Sequence, residues 1–308
     1  MRSLDRTDID LLIDGVPAQI ATFERGPQAE TRPLALWFVL RCNEKGAADN
    51  SKFIREAAKY FRPALAHLES RDTVGVAHWC GDGSNAIDLR PTFDHNAAVK
   101  VIETITHGKA VEAERDGRKQ AASLKEMVNL VLADAGESKT RPLAALVFLY
   151  DDEAADAMHE TDQHSLSDKH SSESYSPWFD EDTLDSLSDA LLKSSSVVYG
   201  IGPLHGSKND AMQTNERTAA FLRPSLSYLT FVTAGRYFAA PSEMSGAAVE
   251  DILLRLHSRY ELGFSFKISG RHSASFELRR DTRRMYPRGQ LYYCQRFIAF
   301  ASEEGAGK

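Results

Sequence analysis

The segment that most constrains the fold is Pro33 to Gly46, PLALWFVLRCNEKG, in which an unbroken apolar run ends abruptly at Arg41. A run without polar alternation is typical of a strand covered on both faces, as in the middle of a parallel sheet. Ligands of open α/β sheets bind beyond the carboxyl ends of such strands. This chain places the basic side chains of Arg41 and Lys45 there, whereas a divalent cation needs carboxylates and hydroxyls. The sequence therefore indicates its architecture more clearly than its activity.

The composition narrows the classes of protein. With 308 residues and 42% hydrophobic content, the chain can bury a sizeable core, in one large α/β domain with additions or in two domains. The formal net charge of -7 argues against general affinity for nucleic acid. No segment has the roughly 18 consecutive apolar residues of a membrane-spanning helix, and the start MRSLDRTDID lacks the apolar core of a signal peptide. We therefore expect a soluble chain that is cytoplasmic by default.

The three cysteines, Cys42, Cys80 and Cys294, are too few and too scattered to predict a disulfide framework or a zinc-binding spacing. We expect buried or half-buried thiols, because free cysteine behaves as a small hydrophobic residue. Cys42 is also a candidate for a thiol with a lowered pKa, since the positive charge of Arg41 favours the thiolate. The spacing assigns no histidine to it, and His78 on a predicted strand is a candidate base by position only.

Strands and helices alternate along most of the chain, which predicts parallel βαβ units with right-handed crossovers. At the start, Asp14-Gly15 between two apolar runs predicts a hairpin. The other predicted elements are a helix over 51–70 that is kinked or divided at Pro63, strands at 73–79 and 85–93, a helix at 96–106, a loop at 108–120, a helix at 121–136, a strand at 142–150, a helix at 182–194, a strand at 195–202, a helix at 217–235 kinked at Pro224, a helix at 246–260, and strands at 259–268, 273–281 and 290–300.

A series of motifs spans the chain from about residue 8 to residue 300: DGVPAQIATFERG, DTVGVAHW followed by LRPTFDHNAAVKVIETI, LVFLYDD, VVYGIG, TAGRYF and LLRLHSRYELGFSF. In order and spacing they resemble the von Willebrand factor type A (vWA) domain, in particular the bacterial vWA-related proteins abundant in Acidobacteria, which are often exported. The resemblance implies an α/β fold with a doubly wound, mostly parallel sheet, helices on both faces and flanking β-strands from both termini. We expect a β-hairpin extension (1–32), a vWA-like domain (33–262), a β extension (263–302) and a disordered tail (303–308).

Domains of the vWA type often bind a divalent cation at the carboxyl edge of the sheet. Their ligands are a D-x-S-x-S motif after the first strand, a threonine from a later loop and an aspartate after the fourth strand. Here the three motif positions carry Arg41, Asn43 and Lys45, the loop near 117–123 reads GRKQAAS without threonine, and only the last aspartate matches, as Asp151. The resemblance therefore implies a degenerate site without a metal, and we expect no cofactor.

The basic residues at this edge have two possible arrangements. Arg41, or else Lys45, pairs with Asp151 in place of the missing ion, because an arginine fork matches carboxylate geometry and a partly buried charge needs a partner. The alternative is that both basic side chains point into water.

Two segments carry opposite charges. Residues 151–189 hold thirteen acidic residues against one basic residue, together with His159, His164 and His170. We interpret this segment as a solvated insertion; the alternative is a metal-sensing or partner-docking loop over 151–177, because carboxylates and imidazoles both bind metals. Residues 267–296 hold eight basic residues against two acidic ones, which indicates charged edge strands or else an anion-binding surface. The basic strands can also attract the acidic segment.

The sequence has no P-loop, no G-x-S-x-G elbow, no H-E-x-x-H and no dinucleotide fingerprint. We therefore expect a non-enzymatic domain that binds a protein partner or acts as a scaffold, with no nucleic-acid partner and no membrane span. The expected partner-binding residues at the carboxyl edge of the sheet are Arg41, Asn43, Lys45, Gly81, Asp82, Gly83, Ser84 and Asp151. The alternative is a hydrolase-type enzyme, or metal-dependent binding, through Cys42 or the loop 151–177.

Overall fold

The computed structural model describes residues 4–25, 33–42, 50–80, 82–104, 117–136, 142–149, 181–203, 224–264, 268–286, 291, 293 and 296–299. The strands in this part of the chain are β1 (Ile9–Ile13), β2 (Val16–Ala18), β3 (Thr22–Arg25), β4 (Leu34–Arg41), β5 (Thr73–Trp79), β6 (Ala86–Thr92), β7 (Leu143–Leu149), β8 (Val197–Gly202), β9 (Tyr237–Ala239), β10 (Tyr260–Gly263), β11 (Gly270–Leu278) and β12 (Arg296–Ala299). The α-helices are α1 (Asn50–Ala58), α2 (Phe61–Leu65), α3 (His95–Thr104), α4 (Gly117–Gly136), α5 (Glu181–Lys193), α6 (Pro224–Val232), α7 (Ser245–His257) and α8 (Arg280–Met285).

Six strands form the central sheet, in the order β6-β5-β4-β7-β8-β9. Neighbouring strands pair in parallel, except that β6 pairs antiparallel with β5 at one edge. Counted within this sheet, the order is 3-2-1-4-5-6, the doubly wound arrangement whose strand order reverses beside the first strand. The predicted fold class, a doubly wound and mostly parallel α/β sheet, is confirmed.

The central strand β4 is buried along its whole length. Successive side chains of a strand point to opposite faces, so β4 contributes to two cores. On one face, the even-numbered side chains, among them Leu36 and Phe38, pack against α1, α2, α3 and α7. On the other face, Trp37 and Val39 pack against α4, α5 and α6. Helices therefore cover both faces of the sheet, as the apolar run predicts.

Strands from both ends of the chain form two smaller sheets. One has the order β12-β11-β1-β2, and the other pairs β10 with β3. The turn between β1 and β2 has positive φ at Asp14 (50°) and at Gly15 (78°), the conformation that two-residue hairpins need and that Asp-Gly adopts readily. The predicted hairpin is confirmed, and strands from both termini flank the central sheet.

The predicted helix over 51–70 is divided. Helix α1 ends at Ala58 and α2 begins at Phe61. Pro63 lies in the first turn of α2, where a backbone N–H has no partner within the helix. Pro224 is likewise the first residue of α6, a position that favours proline, so it starts the described helix instead of kinking it; residues 217–223 lie outside the described residues.

Two further boundaries differ from the sequence prediction. Helix α4 begins at Gly117, so the last residues of the predicted loop 108–120 are helical, because arginine, lysine and glutamine are good helix formers. Strand β11 ends at Leu278, and the unpredicted helix α8 follows. Helix α8 is held by the Thr282 hydroxyl, which donates to the buried Asp8 carboxylate at 2.8 Å. In the described part of the chain, no helix combines the length and apolarity needed to cross a membrane.

A buried carboxylate, Asp72, joins three elements at the amino end of the sheet. Its Oδ1 accepts the N–H of Leu34 at 2.8 Å, and its Oδ2 accepts the N–H of Glu69 at 2.9 Å. The same Oδ2 lies 3.3 Å from Nε2 of His257 at the end of α7. Burial by itself would raise the pKa of Asp72, but the hydrogen bonds from His257, Leu34 and Glu69 together outweigh burial, and the pKa is lowered.

We expect Asp72→Asn to lower the free energy of unfolding at pH 7 by about 1.5–3 kcal/mol, because hydrogen bonds to a charged group are lost. The folded pKa lies below that of an unfolded aspartate, about 3.9. The ionised carboxylate therefore stabilises the fold above that pH, and this contribution disappears as the pH falls through the folded pKa. Urea unfolding at pH 7 and at low pH measures both effects. Asp281→Asn on the exposed face of α8 is the matched control; equal losses in the two variants would contradict the prediction.

Candidate functional site

The carboxyl ends of β4 and β5 lie side by side because the two strands are parallel and in register. Arg41 is opposite Trp79, and the N–H of Cys42 donates to the carbonyl of Trp79 at 2.9 Å. The next residues, Cys42 and Cys80, have Cα atoms 5.0 Å apart, and their sulfurs form a disulfide. We call this region, Arg41, Cys42, Trp79, Cys80 and residues 82–85, the carboxyl edge.

The disulfide corrects the expectation that Cys42 and Cys80 are thiols. It also removes the candidate nucleophile from the oxidised chain, because a disulfide-bonded Cys42 has no thiolate. The two cysteines are 38 residues apart in the sequence, and this separation does not show that the strands before them are neighbours in the folded sheet. The available signal was their position, since each cysteine is the first residue after a strand. Cys294 lies outside the described residues.

On the face shared with the even-numbered side chains of β4, the disulfide lies beside His78. One ligand atom from each of Cys42, His78 and Cys80 lies within 4.8 Å of the other two. Nδ1 of His78 is 2.9 Å from both carboxylate oxygens of Asp88 on β6, and Nε2 is 3.1 Å from the carbonyl oxygen of Ser84. The hydrogen bond with Asp88 outweighs burial and raises the pKa of His78.

On the opposite face of the sheet, Arg41 lies over Trp79. The guanidinium carbon is 5.2 Å from the centroid of the indole ring, and Arg41 is only 5% exposed. This geometry gives a cation–π attraction, which strengthens where water is excluded. The Nε1 atom of Trp79 is buried and has no hydrogen-bond partner in the described part of the structure. The carboxyl edge therefore holds a positive charge that is fixed over an indole ring at the end of β4.

The turn after β5 is held by hydrogen bonds within itself. The Cys80 carbonyl accepts the N–H of Gly83 at 3.0 Å. Oδ1 of Asp82 accepts the N–H of Ser84 at 3.0 Å and its hydroxyl at 2.7 Å, and these bonds lower the pKa of Asp82. Gly83 has a φ of 88°, which a residue with a side chain would adopt only under strain. Asp82, Gly83 and Ser84 are all exposed.

The same turn is tied to α4 through Asn85 and Ser123. The side-chain oxygen of Asn85 accepts the N–H of Cys80 at 3.0 Å, and its amide group donates to the Ser123 carbonyl at 2.9 Å. The buried Ser123 hydroxyl donates to the Cys80 carbonyl at 2.5 Å. Ser123 belongs to the segment where the resemblance would supply a threonine ligand, and here it fixes the turn instead.

The structure places four of the eight predicted partner-binding residues together at the carboxyl edge: Arg41, Asp82, Gly83 and Ser84. The other four, Asn43, Lys45, Gly81 and Asp151, lie outside the described residues, and so does the loop 151–177. The pairing of Arg41 or Lys45 with Asp151 therefore stays a prediction. Trp79, Cys80 and Asn85 are the residues of the edge that the sequence did not assign to a site. Cys42 and His78, which the sequence named only as a candidate nucleophile and a candidate base, lie close together.

Part of the charge separation along the sequence is neutralised within the chain. Arg271 on β11 lies 2.8 Å from Asp189 and 2.6 Å from Asp185, both on α5. Hydrogen bonds with Asp189 and Asp185 raise the pKa of Arg271 above the ordinary value of an arginine. Arg279 donates to Asp10 at 2.8 Å. Arg271 thus contacts the last two acidic residues of the segment 151–189 within one molecule. The attraction of the acidic loop itself stays a prediction, because residues 151–180 lie outside the described residues.

No protein-family model matches the chain, and no curated protein matches it. Among solved structures, an aerotolerance-related membrane protein from Bacteroides fragilis NCTC 9343 is similar over 73% of this chain and 100% of its own, at 12% identity and a TM-score of 0.44. The conserved hypothetical protein BatB from Bacteroides thetaiotaomicron is similar over 72% of this chain and 98% of its own, at 13% identity and a TM-score of 0.41.

A third similar structure is the human COPII-coat protein Sec24c, over 74% of this chain and 32% of its own, at 10% identity and a TM-score of 0.39. These similarities concern the arrangement of strands and helices alone, since a fold does not specify a function. The doubly wound, mostly parallel α/β fold of the chain rests on its own strand order and on the helices that cover both faces of the sheet.

We expect Cys42→Ala/Cys80→Ala to lower the free energy of unfolding by about 2–4 kcal/mol, because the cross-link restricts the unfolded chain. Urea unfolding of the oxidised protein measures the change, and Cys294→Ala is the matched control. Titration of thiols in the denatured, unreduced chain should find one reactive thiol, that of Cys294. Three reactive thiols would contradict the disulfide.

Proposed function

We propose that this chain is a non-enzymatic vWA-like domain that binds a protein partner at the carboxyl edge, without a divalent cation at the position of the vWA metal motif. Within the vWA class, its sequence motifs support a place among the bacterial vWA-related proteins. The observation that carries the proposal is the buried guanidinium of Arg41 over Trp79, at the strand end where the vWA metal motif begins with a carboxylate.

The Arg41 cation opposes the binding of a divalent cation beside it, on the same face of the sheet. Two unit charges of the same sign 4 Å apart repel each other by about 4 kcal/mol at an effective dielectric constant of 20. Magnesium also requires near-octahedral oxygen ligands. Among the described residues of the turn 82–85, Asp82 carries the one carboxylate, and its Oδ1 already accepts two hydrogen bonds from Ser84. The ligand chemistry of the described edge therefore favours a site without a metal.

The preformed turn suits the recognition of a protein. Loops that a rigid scaffold positions carry binding sites in many folds. Hydrogen bonds to Asn85 and Ser123, together with the disulfide, fix the turn before a partner arrives, so little conformational freedom is lost on binding. Asp82 and Ser84 are exposed at its tip and offer a negative charge and a hydroxyl. A partner with a basic group at its surface would complement them.

A charge reversal at the tip of the turn tests the proposal. We expect Asp82→Arg to reduce capture of the partner from an extract of the native host at least about tenfold, the change that 1.4 kcal/mol of lost binding produces. Glu69→Arg makes the same exchange at the opposite, amino end of β5 and should leave capture unchanged. Affinity capture with chemical cross-linking, followed by quantitative mass spectrometry, measures both. Equal capture of the same proteins by the two variants would rule out the carboxyl edge as the docking site.

The metal-free edge has a separate test. Calorimetric titration of the oxidised chain with magnesium, calcium and manganese should show no submicromolar binding, because the edge presents a cation where these ions need carboxylates. Submicromolar binding that disappears in Asp151→Ala would show that the edge binds a metal and would overturn this part of the proposal.

A further inference from the structure

We propose that reduction of the disulfide converts Cys42, Cys80 and His78 into a binding site for Zn²⁺. The three side chains lie on one face of the sheet, and one ligand atom of each lies within 4.8 Å of the other two. Both cysteines are buried, and the side chain of His78 is 20% exposed. The cluster is therefore held by the central sheet and is open to solvent at the histidine.

The three ligands match the chemistry of zinc. Thiolate and neutral imidazole are its commonest protein ligands, with Zn–S distances of about 2.3 Å and Zn–N distances of about 2.0–2.1 Å. A tetrahedral ion with these bond lengths places its ligand atoms roughly 3.5–3.8 Å apart. The limit of 4.8 Å in the cluster exceeds that spacing by roughly 1 Å, which a rotation of the partly exposed His78 ring can supply. The two sulfurs, which are bonded to each other in the disulfide, move apart to this spacing by side-chain rotation once the bond is broken. Magnesium and calcium, which prefer oxygen ligands, do not fit this cluster.

His78 already has the partner that a metal-binding histidine needs. Such histidines usually give their second ring N–H to a carboxylate, which fixes the tautomer and the ring orientation. Asp88 lies 2.9 Å from Nδ1 of His78, so Nε2 is the atom available to zinc. Nε2 now lies 3.1 Å from the Ser84 carbonyl and would exchange that contact for the ion. Asp88 is therefore a positioning residue of the proposed site.

The two states of the site use the same sulfur atoms and exclude each other. A dithiol reductant transfers two electrons and two protons, so the S–S bond breaks, thiols form on Cys42 and Cys80, and the donor becomes a disulfide. Zn²⁺ then replaces the two thiol protons and the proton that Nε2 of His78 donates to the Ser84 carbonyl, and these protons pass to the solvent. The ion gains two thiolates and one imidazole and keeps a fourth position for water.

The experiment uses the full chain with Cys294→Ser, so that Cys42 and Cys80 are its only cysteines. One sample stays oxidised, and a phosphine reduces the other without adding thiols. Co²⁺ is titrated first, because its absorption spectrum reports tetrahedral thiolate coordination, and Zn²⁺ affinity is then measured by competition and calorimetry. We expect one ion per reduced chain with a submicromolar dissociation constant and no such binding by the oxidised chain. Equal affinity of the two samples would overturn the proposal.

Variants separate the proposed ligands from general surface binding. We expect His78→Ala to weaken zinc binding at least about tenfold and to change the Co²⁺ spectrum, and Asp88→Asn to weaken it about 10–100-fold. His67→Ala, at an exposed histidine, is the matched control and should change nothing. Unchanged affinity in His78→Ala would overturn the proposal. Circular dichroism checks the fold of each variant; if one unfolds, the oxidised and reduced parent samples decide. These results are independent of the proposed partner docking, which is tested on the oxidised chain.

Discussion

The pairing of β4 between β5 and β7 is the constraint on which the rest of the structure depends. Every residue of β4 is buried, so each face of the sheet needs a layer of helices. Because side chains alternate along a strand, the same pairing decides which groups meet at the carboxyl end. Even-numbered positions lead to Cys42 beside Cys80 and His78, and odd-numbered positions lead to Arg41 beside Trp79. A shift of one residue in register would exchange the two sets, so the site follows from the packing of the core.

The two faces give the carboxyl edge two different kinds of chemistry. On one face, a guanidinium over an indole ring supplies a permanent charge, because arginine stays protonated at every physiological pH. On the other face, the two sulfurs can be oxidised to a disulfide or reduced to thiols, and sulfur and imidazole groups are both metal ligands. The turn with Asp82 and Ser84 at its tip begins at Cys80, directly after Trp79. It therefore follows one residue from each of the two faces. A partner bound at this turn would meet the fixed charge of Arg41 on one side. On the other side, the redox environment would decide whether a disulfide links the turn to β4.

Most of the central sheet could be predicted from the sequence, because apolar runs of the length of β4 and β7, without polar alternation, are typical of strands buried on both faces. The edge where functional groups gather also follows from parallel pairing. Which side chains meet at that edge depends on the register between β4 and β5, and the spacing of residues in the sequence does not give this register. The disulfide was missed for this reason. The start of α4 was missed because its first turn is polar and lacks apolar periodicity. The roles assigned to Asn43, Lys45 and Asp151 stay predictions.

Reduction of the disulfide removes only part of the support of the turn 82–85. Two hydrogen bonds of the Cys80 backbone hold the turn in place. The Cys80 carbonyl accepts the Ser123 hydroxyl, and the Cys80 N–H donates to the side-chain oxygen of Asn85; neither bond involves sulfur. In an oxidising compartment, where disulfides persist, a covalent bond also ties the turn to the end of β4. In a reducing compartment, the proposed zinc ion would tie the same two residues together, since metal binding by folded ligands stabilises the fold that positions them. The strand ends would then stay linked in both environments, and only the linking atom would differ.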